Sequence, residues 1–271
     1  MSNNILLEIA EKTRLRSLGD QARMPEEMLD VELERQFAEE KKAGYILPDF
    51  LQALKKPGMS YICEVKKASP SKGLIAPDFP YLEIAREYEA AGACAISCLT
   101  EPYWFLGSDA YVKEITEAVR IPVLRKDFTV NRYMIKQARS LRASAVLLIC
   151  AILNDRQLKA YRELAESLGM QALVEAHDEA EVGRALASGA RIIGVNNRDL
   201  RTFTVDMGNS IKLRNLAPDD LVFVSESGIR TNDDIRRLYE NRVDAVLIGE
   251  TLMRSPDKAV MLTELNGGPL Q

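Results

Sequence analysis

Short apolar runs that alternate with amphipathic, charged segments constrain the fold of this chain more than any other sequence feature. From Tyr61 onward about eight such runs occur, separated by segments with helical spacing: YICEV, CAISCL, PVLRK, AVLLICAI, QALVEA, RIIGVN, LVFVSE and AVLIGE. Repeated alternation of strand and helix is typical of a parallel sheet. Eight units favour a closed (β/α)8 TIM barrel over an open doubly wound sheet, which usually has about five or six strands.

The first 57 residues lack strand signals and predict an N-terminal helical extension. Ile5, Leu6 and Ile9 recur with helical spacing, and a charged run, ELERQFAEEKK, follows them. No Pro-, Gly- or Ser-rich linker interrupts residues 58–255. We therefore expect residues 1–57 to pack on a barrel formed by residues 58–271, the two parts together making one domain.

Composition excludes several classes of protein. Of the 271 residues 46% are hydrophobic and 28% are charged, as in an average globular protein. The formal net charge is −4, without the clustered basic face that nucleic-acid binding usually requires. The sequence shows neither a secretory signal nor the run of about 18 apolar residues needed for a membrane helix. We expect a cytoplasmic chain with no nucleic-acid or membrane partner.

Motifs for common cofactors are missing from the sequence. No G-x-G-x-x-G follows the first strand and no G-x-x-x-x-G-K-[ST] occurs, which argues against nicotinamide and P-loop chemistry. Cys63, Cys94, Cys98 and Cys150 lie within apolar runs, and we interpret them as buried thiols rather than metal ligands. His177 is the only histidine, and we expect a structural role for it. Lysines and carboxylates must therefore transfer the protons of any acid–base chemistry.

Ionisable side chains stand at the ends of the predicted strands, where barrels of this kind carry their chemistry. Glu64 and Lys66 are two residues apart, so they share one face of a strand. Lys126 and Glu175 each stand at or near the end of an apolar run. If that face is the barrel interior, burial shifts the pKa values unless the charges compensate each other. A simple ion pair capping the core is the alternative for Glu64 and Lys66, but recurrence at several strand ends favours a site.

Glycines at the ends of the last two strands predict a phosphate site. The loops after these strands commonly bind phosphate in such barrels, because glycine lets backbone N–H groups approach a ligand. We expect the carboxylate of Glu250 to repel a dianion, so only its backbone is assigned to the site. Tight turns without a ligand are the alternative. The predicted phosphate-binding residues are Lys66, Ser69, Ser227, Gly228, Gly249 and Glu250.

Three consecutive aromatic residues, Tyr103, Trp104 and Phe105, follow the second strand. Three in a row cannot all face one side of a strand or helix. We therefore expect at least one of them to line the pocket, where it can stack on an aromatic ligand.

Together these motifs resemble those of the indole-3-glycerol phosphate synthase family. The resemblance spans roughly residues 61–254 and rests, in order, on EVKKASPSKG, LTEPYWFLGS, PVLRKDF, LVEAH, IIGVNNRDL, VSESGI and VLIGETLMR. It implies a carboxy-lyase of tryptophan biosynthesis that converts 1-(2-carboxyphenylamino)-1-deoxyribulose 5-phosphate to indole-3-glycerol phosphate, CO₂ and water. It also implies that no metal or organic cofactor is used. We expect a monomer or weak homo-oligomer whose partner is this small-molecule substrate.

The resemblance also implies roles for individual residues. Lys126 is the acid of ring closure, and Lys66 assists dehydration and holds the substrate carboxylate. Glu64 and Glu175 supply base or orienting functions, in a division that the sequence leaves open. The residues implied to bind substrate are Ser69, Phe105, Phe128, Asn196 and Arg198.

Three other functions remain open on the sequence. A Schiff-base aldolase would use a strand-end lysine such as Lys126 as nucleophile. A phosphoribosylanthranilate isomerase shares the phosphate site but relies on different acid and base motifs. A sugar-phosphate sensor could keep the barrel without catalysis, because fold alone does not imply function. A pure binder has no need of two lysines and two glutamates at strand ends, which favours an enzyme.

Overall fold

The computed structural model describes residues 5–199 and 202–268. Its strands are β1 (Ser60–Val65), β2 (Ala68–Ser69), β3 (Gly73–Leu74), β4 (Ala95–Leu99), β5 (Val123–Lys126), β6 (Ala145–Ile149), β7 (Gln171–Ala176), β8 (Ile192–Asn196), β9 (Val222–Glu226) and β10 (Ala245–Ile248). Its helices are α1 (Ile5–Arg23), α2 (Glu26–Ala43), α3 (Phe50–Leu54), α4 (Tyr81–Ala90), α5 (Asp109–Ala118), α6 (Arg132–Ser140), α7 (Asp155–Ser167), α8 (Glu179–Ala187), α9 (Gly208–Arg214), α10 (Asn232–Glu240), α11 (Glu250–Arg254) and α12 (Lys258–Leu265).

Within these residues eight parallel strands close into a barrel. Each pairs with its neighbour along the chain, and β1 pairs with both β4 and β10 to complete the ring. The short strands β2 and β3 form a separate antiparallel hairpin after β1. All eight apolar runs become barrel strands, so the predicted (β/α)8 barrel with N-terminal helices is confirmed.

Glycines end two of the helices that connect the strands. Beyond α4, Gly92 has a φ of 91°, and beyond α7, Gly169 has a φ of 82°. Residues with a Cβ rarely adopt this left-handed conformation, whereas glycine does so at little cost. The chain can therefore turn sharply back toward the next strand.

The alternation of side chains along each strand decides what reaches the barrel interior. Ile62, Leu124 and Leu173 belong to one buried apolar cluster that lies inside the barrel. Residues of opposite parity, such as Cys63 and Val174, belong to a second cluster beneath the surrounding helices. Because the side-chain period is two, the next inward position on each strand lies at its carboxyl end. On four of the strands that position carries a charged residue: Glu64, Lys126, Glu175 and Glu226.

The N-terminal helices contact both ends of the barrel. Ile5, Leu6 and Ile9 of α1 line the cavity at the carboxyl ends of the strands. Helix α3 packs at the other end, where Ser60, the first residue of β1, donates a hydrogen bond to the carbonyl of Leu54 (Oγ–O 3.1 Å). No helix of the described residues is both long and apolar enough to span a membrane. The division at residue 57 stays a prediction.

Candidate active site

A cavity of about 540 Å³ lies at the carboxyl ends of the barrel strands. Every site residue that the sequence predicted lines it: Glu64, Lys66, Ser69, Phe105, Lys126, Phe128, Glu175, Asn196, Arg198, Ser227, Gly228, Gly249 and Glu250. These residues belong to seven barrel strands or the loops that follow them, and they converge on one chamber. Their individual roles stay predictions.

The ammonium of Lys126 lies among three buried carboxylates. Its Nζ is 3.4 Å from Oε2 of Glu226, 3.7 Å from Oε2 of Glu64 and 4.0 Å from Oε2 of Glu175. Burial alone disfavours the charged ammonium, but the three carboxylates outweigh it and raise the pKa of Lys126 above its ordinary value. The side chain is therefore a protonated acid at neutral pH. Within residues 5–199 and 202–268, no cluster of His, Cys, Asp or Glu is arranged to hold a metal ion.

Glu64 bridges the two lysines of the site. One of its oxygens accepts a hydrogen bond from Lys66, and the other faces Lys126. Burial would raise the pKa of this carboxyl, but the two ammonium groups hold it below its ordinary value. Glu64 therefore stays ionised and fixes the positions of both cations.

Glu226 is a buried residue of the site that the sequence motifs did not predict. Its oxygens are buried and neither is hydrogen-bonded within the described part of the chain, although Lys126 lies close to one of them. Burial first, and then Glu175 and Glu64, raise the pKa of Glu226 to about 8 against the attraction of Lys126. A carboxyl group with such a pKa can hold or release a proton near neutral pH. The alternation of side chains along β9 would have predicted it, because Glu226 lies two residues beyond the inward-facing Val224.

Two glycines, one within β8 and one directly after β10, make room for these carboxylates. A Cβ on Gly194 of β8 would lie 2.2 Å from Oε1 of Glu226, and a Cβ on Gly249 would lie 2.3 Å from Oε1 of Glu64. Both distances are far inside van der Waals contact. Glycine is therefore required at position 249 because the Glu64 side chain lies so close, and not only because a ligand needs access.

A buried carboxylate shapes the aromatic loop after β4. Glu101 is fully buried and accepts hydrogen bonds from the backbone N–H groups of Tyr103, Trp104 and Phe105. Phe105 lines the cavity, as expected for at least one of the three aromatic residues. Its ring centroid lies 6.1 Å from that of Phe128, at an interplanar angle of 44°. The two phenyl rings give one wall of the cavity an apolar, aromatic surface.

Two adjacent asparagines at the carboxyl end of β8 serve different purposes. Asn196 lines the cavity, and its Oδ1 accepts hydrogen bonds from Ser227 (Oγ, 3.0 Å) and from the backbone N–H of Arg198 (3.0 Å). Asn197 is buried and instead holds the loops together, accepting from Ser210 and donating to the carbonyl of Ser227. Of the two asparagines, Asn196 is therefore the one whose side chain faces the cavity.

The side chain of Glu250 is turned toward two cations at the rim. Its Oε1 lies 3.3 Å from Nζ of Lys72 and 3.2 Å from Nε of Arg254. These contacts outweigh partial burial and lower the pKa of Glu250. Its charge is therefore compensated locally by these two cations, and the backbone role predicted for Glu250 stays a prediction.

Sequence comparisons place the chain among named relatives. The family model "Indole-3-glycerol phosphate synthase" matches residues 10–265. The indole-3-glycerol phosphate synthase of Ruminiclostridium cellulolyticum is 58% identical over 218 residues, covering 80% of this chain and 84% of the relative. That of Lachnoclostridium phytofermentans is 47% identical over 266 residues, covering 96% of this chain and 98% of the relative.

Structural comparison finds the same fold in distant proteins. The 3-hexulose-6-phosphate synthase of Salmonella typhimurium matches with a TM-score of 0.64 at 14% identity, covering 77% of this chain and 97% of that one. Thiamine phosphate pyrophosphorylase of Pyrococcus furiosus matches with a TM-score of 0.58 at 17% identity, covering 77% and 94%. At such low identity the likeness concerns the barrel alone.

Proposed function

Because the chain belongs to the indole-3-glycerol phosphate synthase family, we propose how the residues of its cavity divide that family's reaction. The chain is a carboxy-lyase of tryptophan biosynthesis, acting on 1-(2-carboxyphenylamino)-1-deoxyribulose 5-phosphate. A carbon of the anthranilate ring attacks the ketone, CO₂ leaves to restore aromaticity, and a hydroxyl group leaves as water. These steps need an acid that protonates the ketone oxygen, an acid that protonates the departing hydroxyl group, and a base.

Lys126 is the acid of ring closure. The observation that carries this assignment is the position of its ammonium among Glu64, Glu175 and Glu226, which keeps it protonated in a cavity with an aromatic wall. As the ketone oxygen becomes an alkoxide, it needs a proton at that point. A positioned ammonium stabilises the developing charge and supplies the proton.

The other ionisable residues act around the same centre. Lys66, held by Glu64, assists the loss of the hydroxyl group and holds the substrate carboxylate. Glu175, which lies near Lys126, is the candidate for the base, whereas Glu226, which stays protonated below its raised pKa, is a further proton donor beside Lys126. The pKa of Glu226, about 8, suits a group that takes and returns a proton within one turnover.

The walls and rim of the cavity hold the substrate. Phe105 and Phe128 flank the aromatic ring, while Asn196 and Arg198 contact hydroxyl and carboxylate groups. The phosphate occupies the part of the rim that is rich in glycine and cations, where backbone N–H groups can converge on an anion. That part comprises Lys66, Ser69, Ser227, Gly228, Gly249 and Glu250.

The charge of Lys126 also argues against the Schiff-base alternative. A lysine that attacks a carbonyl needs a neutral amine, which enzymes obtain by lowering its pKa. Here Glu226, Glu64 and Glu175 raise the pKa instead. Borohydride in the presence of substrate should therefore leave Lys126 unmodified; a covalent adduct on this residue would favour the aldolase.

The first experiment measures indole-3-glycerol phosphate by its fluorescence, without added metal. We expect turnover by the wild-type chain and a loss of at least about a hundredfold in kcat for Lys126→Ala, because general acid catalysis contributes about 10²–10⁴-fold. The KM should change little, since the phosphate rim is intact. Lys212→Ala, which removes an exposed lysine of α9, is the control and should retain full activity. Near-normal kcat in Lys126→Ala would refute the assignment, and no turnover by the wild type together with tight substrate binding would favour a sensor.

The cellular setting forms part of the proposal. All four cysteines are buried and free, which suits a reducing compartment such as the cytoplasm. We propose that the chain works there as a monomer or weak homo-oligomer, independent of nucleic acid and membranes. Light scattering across a range of protein concentrations tests the oligomeric state.

A further inference from the structure

The single histidine of the chain lies directly behind the site, outside the cavity lining. His177 follows β7, two residues after Glu175, and its side chain is only 20% exposed. Its backbone carbonyl accepts a hydrogen bond from Nδ2 of Asn209 (3.0 Å). This contact holds the backbone at His177, and the residue does not line the cavity described above.

The imidazole lies between two carboxylates. Nδ1 is 3.2 Å from Oε2 of Glu181, and Nε2 is 3.6 Å from Oε1 of Glu175. Nε2 is buried and has no hydrogen-bond partner within the part of the chain that the structure describes. Nε2 therefore faces Oε1 of Glu175, and the other oxygen of Glu175 lies 4.0 Å from Nζ of Lys126.

Glu181 is firmly held. Its Oε2 also accepts a hydrogen bond from the backbone N–H of His177 (2.8 Å). Its own backbone N–H donates to Asp178 (2.9 Å), the residue that caps the first turn of α8. The carboxylate is thus fixed by the helix start and not by a flexible side chain alone.

This arrangement favours a doubly protonated ring. An ionised carboxylate can only accept hydrogen bonds, so each ring nitrogen that faces one needs its own proton. A neutral imidazole would direct a lone pair at either Glu181 or Glu175. Burial opposes the charge, but the hydrogen bond to Glu181 and the charges of Glu175, Glu181 and Glu226 outweigh it and raise the pKa of His177 to about 8.

We propose that His177, supported by Glu181, is a positioning residue that holds the Glu175 carboxylate in its working orientation toward Lys126. The ring acts through Glu175 and does not touch the substrate. The inference rests on the proposed function, because it assigns Glu175 to the reaction. The charged or titratable groups that face the ring are Glu175 on β7, Glu181 on α8 and, farther away, Glu226 on β9.

A titration of His177 tests the geometry without an activity assay. Because the chain has one histidine, its imidazole resonances in an NMR spectrum are assigned without ambiguity. We expect a midpoint at about 8 for the wild type and lower midpoints in Glu175→Gln and in Glu181→Gln, since each variant removes a carboxylate that stabilises the imidazolium. A midpoint that Glu175→Gln leaves unchanged would overturn the proposal.

Kinetics test the effect on the reaction. We expect His177→Gln to lower kcat by about tenfold or more, because a small misplacement of a reacting group costs up to about a hundredfold. The KM should stay within about twofold, since the ring lies outside the cavity. The ratio of wild-type to variant kcat should be largest below pH 8 and fall above it, as the wild-type ring loses its charge. A ratio near one at every pH would contradict the positioning role.

Two further variants separate this role from simple structural damage. Glu181→Gln keeps the ring and removes its support, so it should reproduce the kcat loss and the changed pH profile even if His177→Gln does not fold. The control is Glu179→Gln. Glu179 lies in the same helix turn as Glu181, but its carboxylate pairs with the exposed Lys212 at 2.7 Å, so this variant should behave as wild type. If the wild type makes no indole-3-glycerol phosphate, the proposed function fails, whereas the NMR titration still decides whether His177 and Glu175 are coupled.

Discussion

Glu226 shows how burial sets the protonation of a single residue. Its pKa is raised from 4.5 to about 8, so the folded state retains a proton that the unfolded state releases between these pH values. The free energy of unfolding must therefore decrease as the pH rises through this interval. A group held at such a cost is expected where function requires it.

We predict that Glu226→Gln removes part of this pH dependence. Gln keeps the size of the side chain but cannot ionise, so from pH 5 to pH 8.5 the stability difference should shift in favour of the variant by on the order of 4 kcal/mol. Its kcat should fall. Urea denaturation at both pH values measures the effect, with Glu240→Gln on the exposed end of α10 as control. Equal pH dependence in Glu226→Gln and the wild type would contradict the assigned pKa shift.

The residues of the site differ in how visible they are in the sequence. Glu64, Lys126 and Glu175 end apolar runs, so strand periodicity alone brings them to one chamber. Glu226 follows the same alternation, but it lies within SESG, a glycine-containing segment that by itself predicts a phosphate site. The contact of His177 with Glu175 and Glu181 depends on how β7 joins α8, and no sequence period encodes that distance.

At the scale of the strand, the packing on the inner face of β8 depends on a glycine, Gly194. Gly194 pairs with Glu175 on β7 and with Val224 on β9, in the middle of the barrel wall. The inward space beside it is filled by the Glu226 carboxylate, and Leu173 lies next to it. An apolar run predicts a strand here, but only the packed barrel reveals which neighbour requires the glycine.

We predict that Gly194→Ala disturbs the site through this contact. The added Cβ would lie 2.2 Å from Glu226 Oε1 and 3.1 Å from Leu173 Cδ1, so the carboxylate must move. We expect kcat to fall by about tenfold to a hundredfold, with a smaller change in KM. Gly183→Ala on α8 is the control, because no heavy atom lies within 4 Å of its new Cβ. That control should keep its kcat and, as a helical Gly→Ala change, gain up to about 1 kcal/mol of stability. Similar kcat values for Gly194→Ala and Gly183→Ala would refute the steric argument.

At the scale of the whole molecule, charged contacts join the N-terminal helices to the barrel. Arg16 of α1 donates to Asp127, the residue after Lys126, at 2.7 Å. Glu40 of α2 forms a buried ion pair with Arg139 of α6. The sequence placed helices in residues 1–57 but could not specify these partners, which lie about a hundred residues away. The contacts support the proposal that residues 1–57 and 58–271 form one domain.

We predict that one cooperative transition unfolds both parts, and that Glu40→Gln lowers the stability of the whole. Removing one partner of a buried ion pair leaves Arg139 uncompensated, which costs about 3 kcal/mol. Helical circular dichroism and the fluorescence of the single tryptophan, Trp104 on the barrel, should shift to lower urea concentration together. Glu39→Gln breaks only an exposed contact with Arg35 (3.9 Å) and should change the midpoint little. Separation of the two signals in Glu40→Gln, with the tryptophan transition unmoved, would mean that the extension unfolds alone and that the barrel is a domain in its own right.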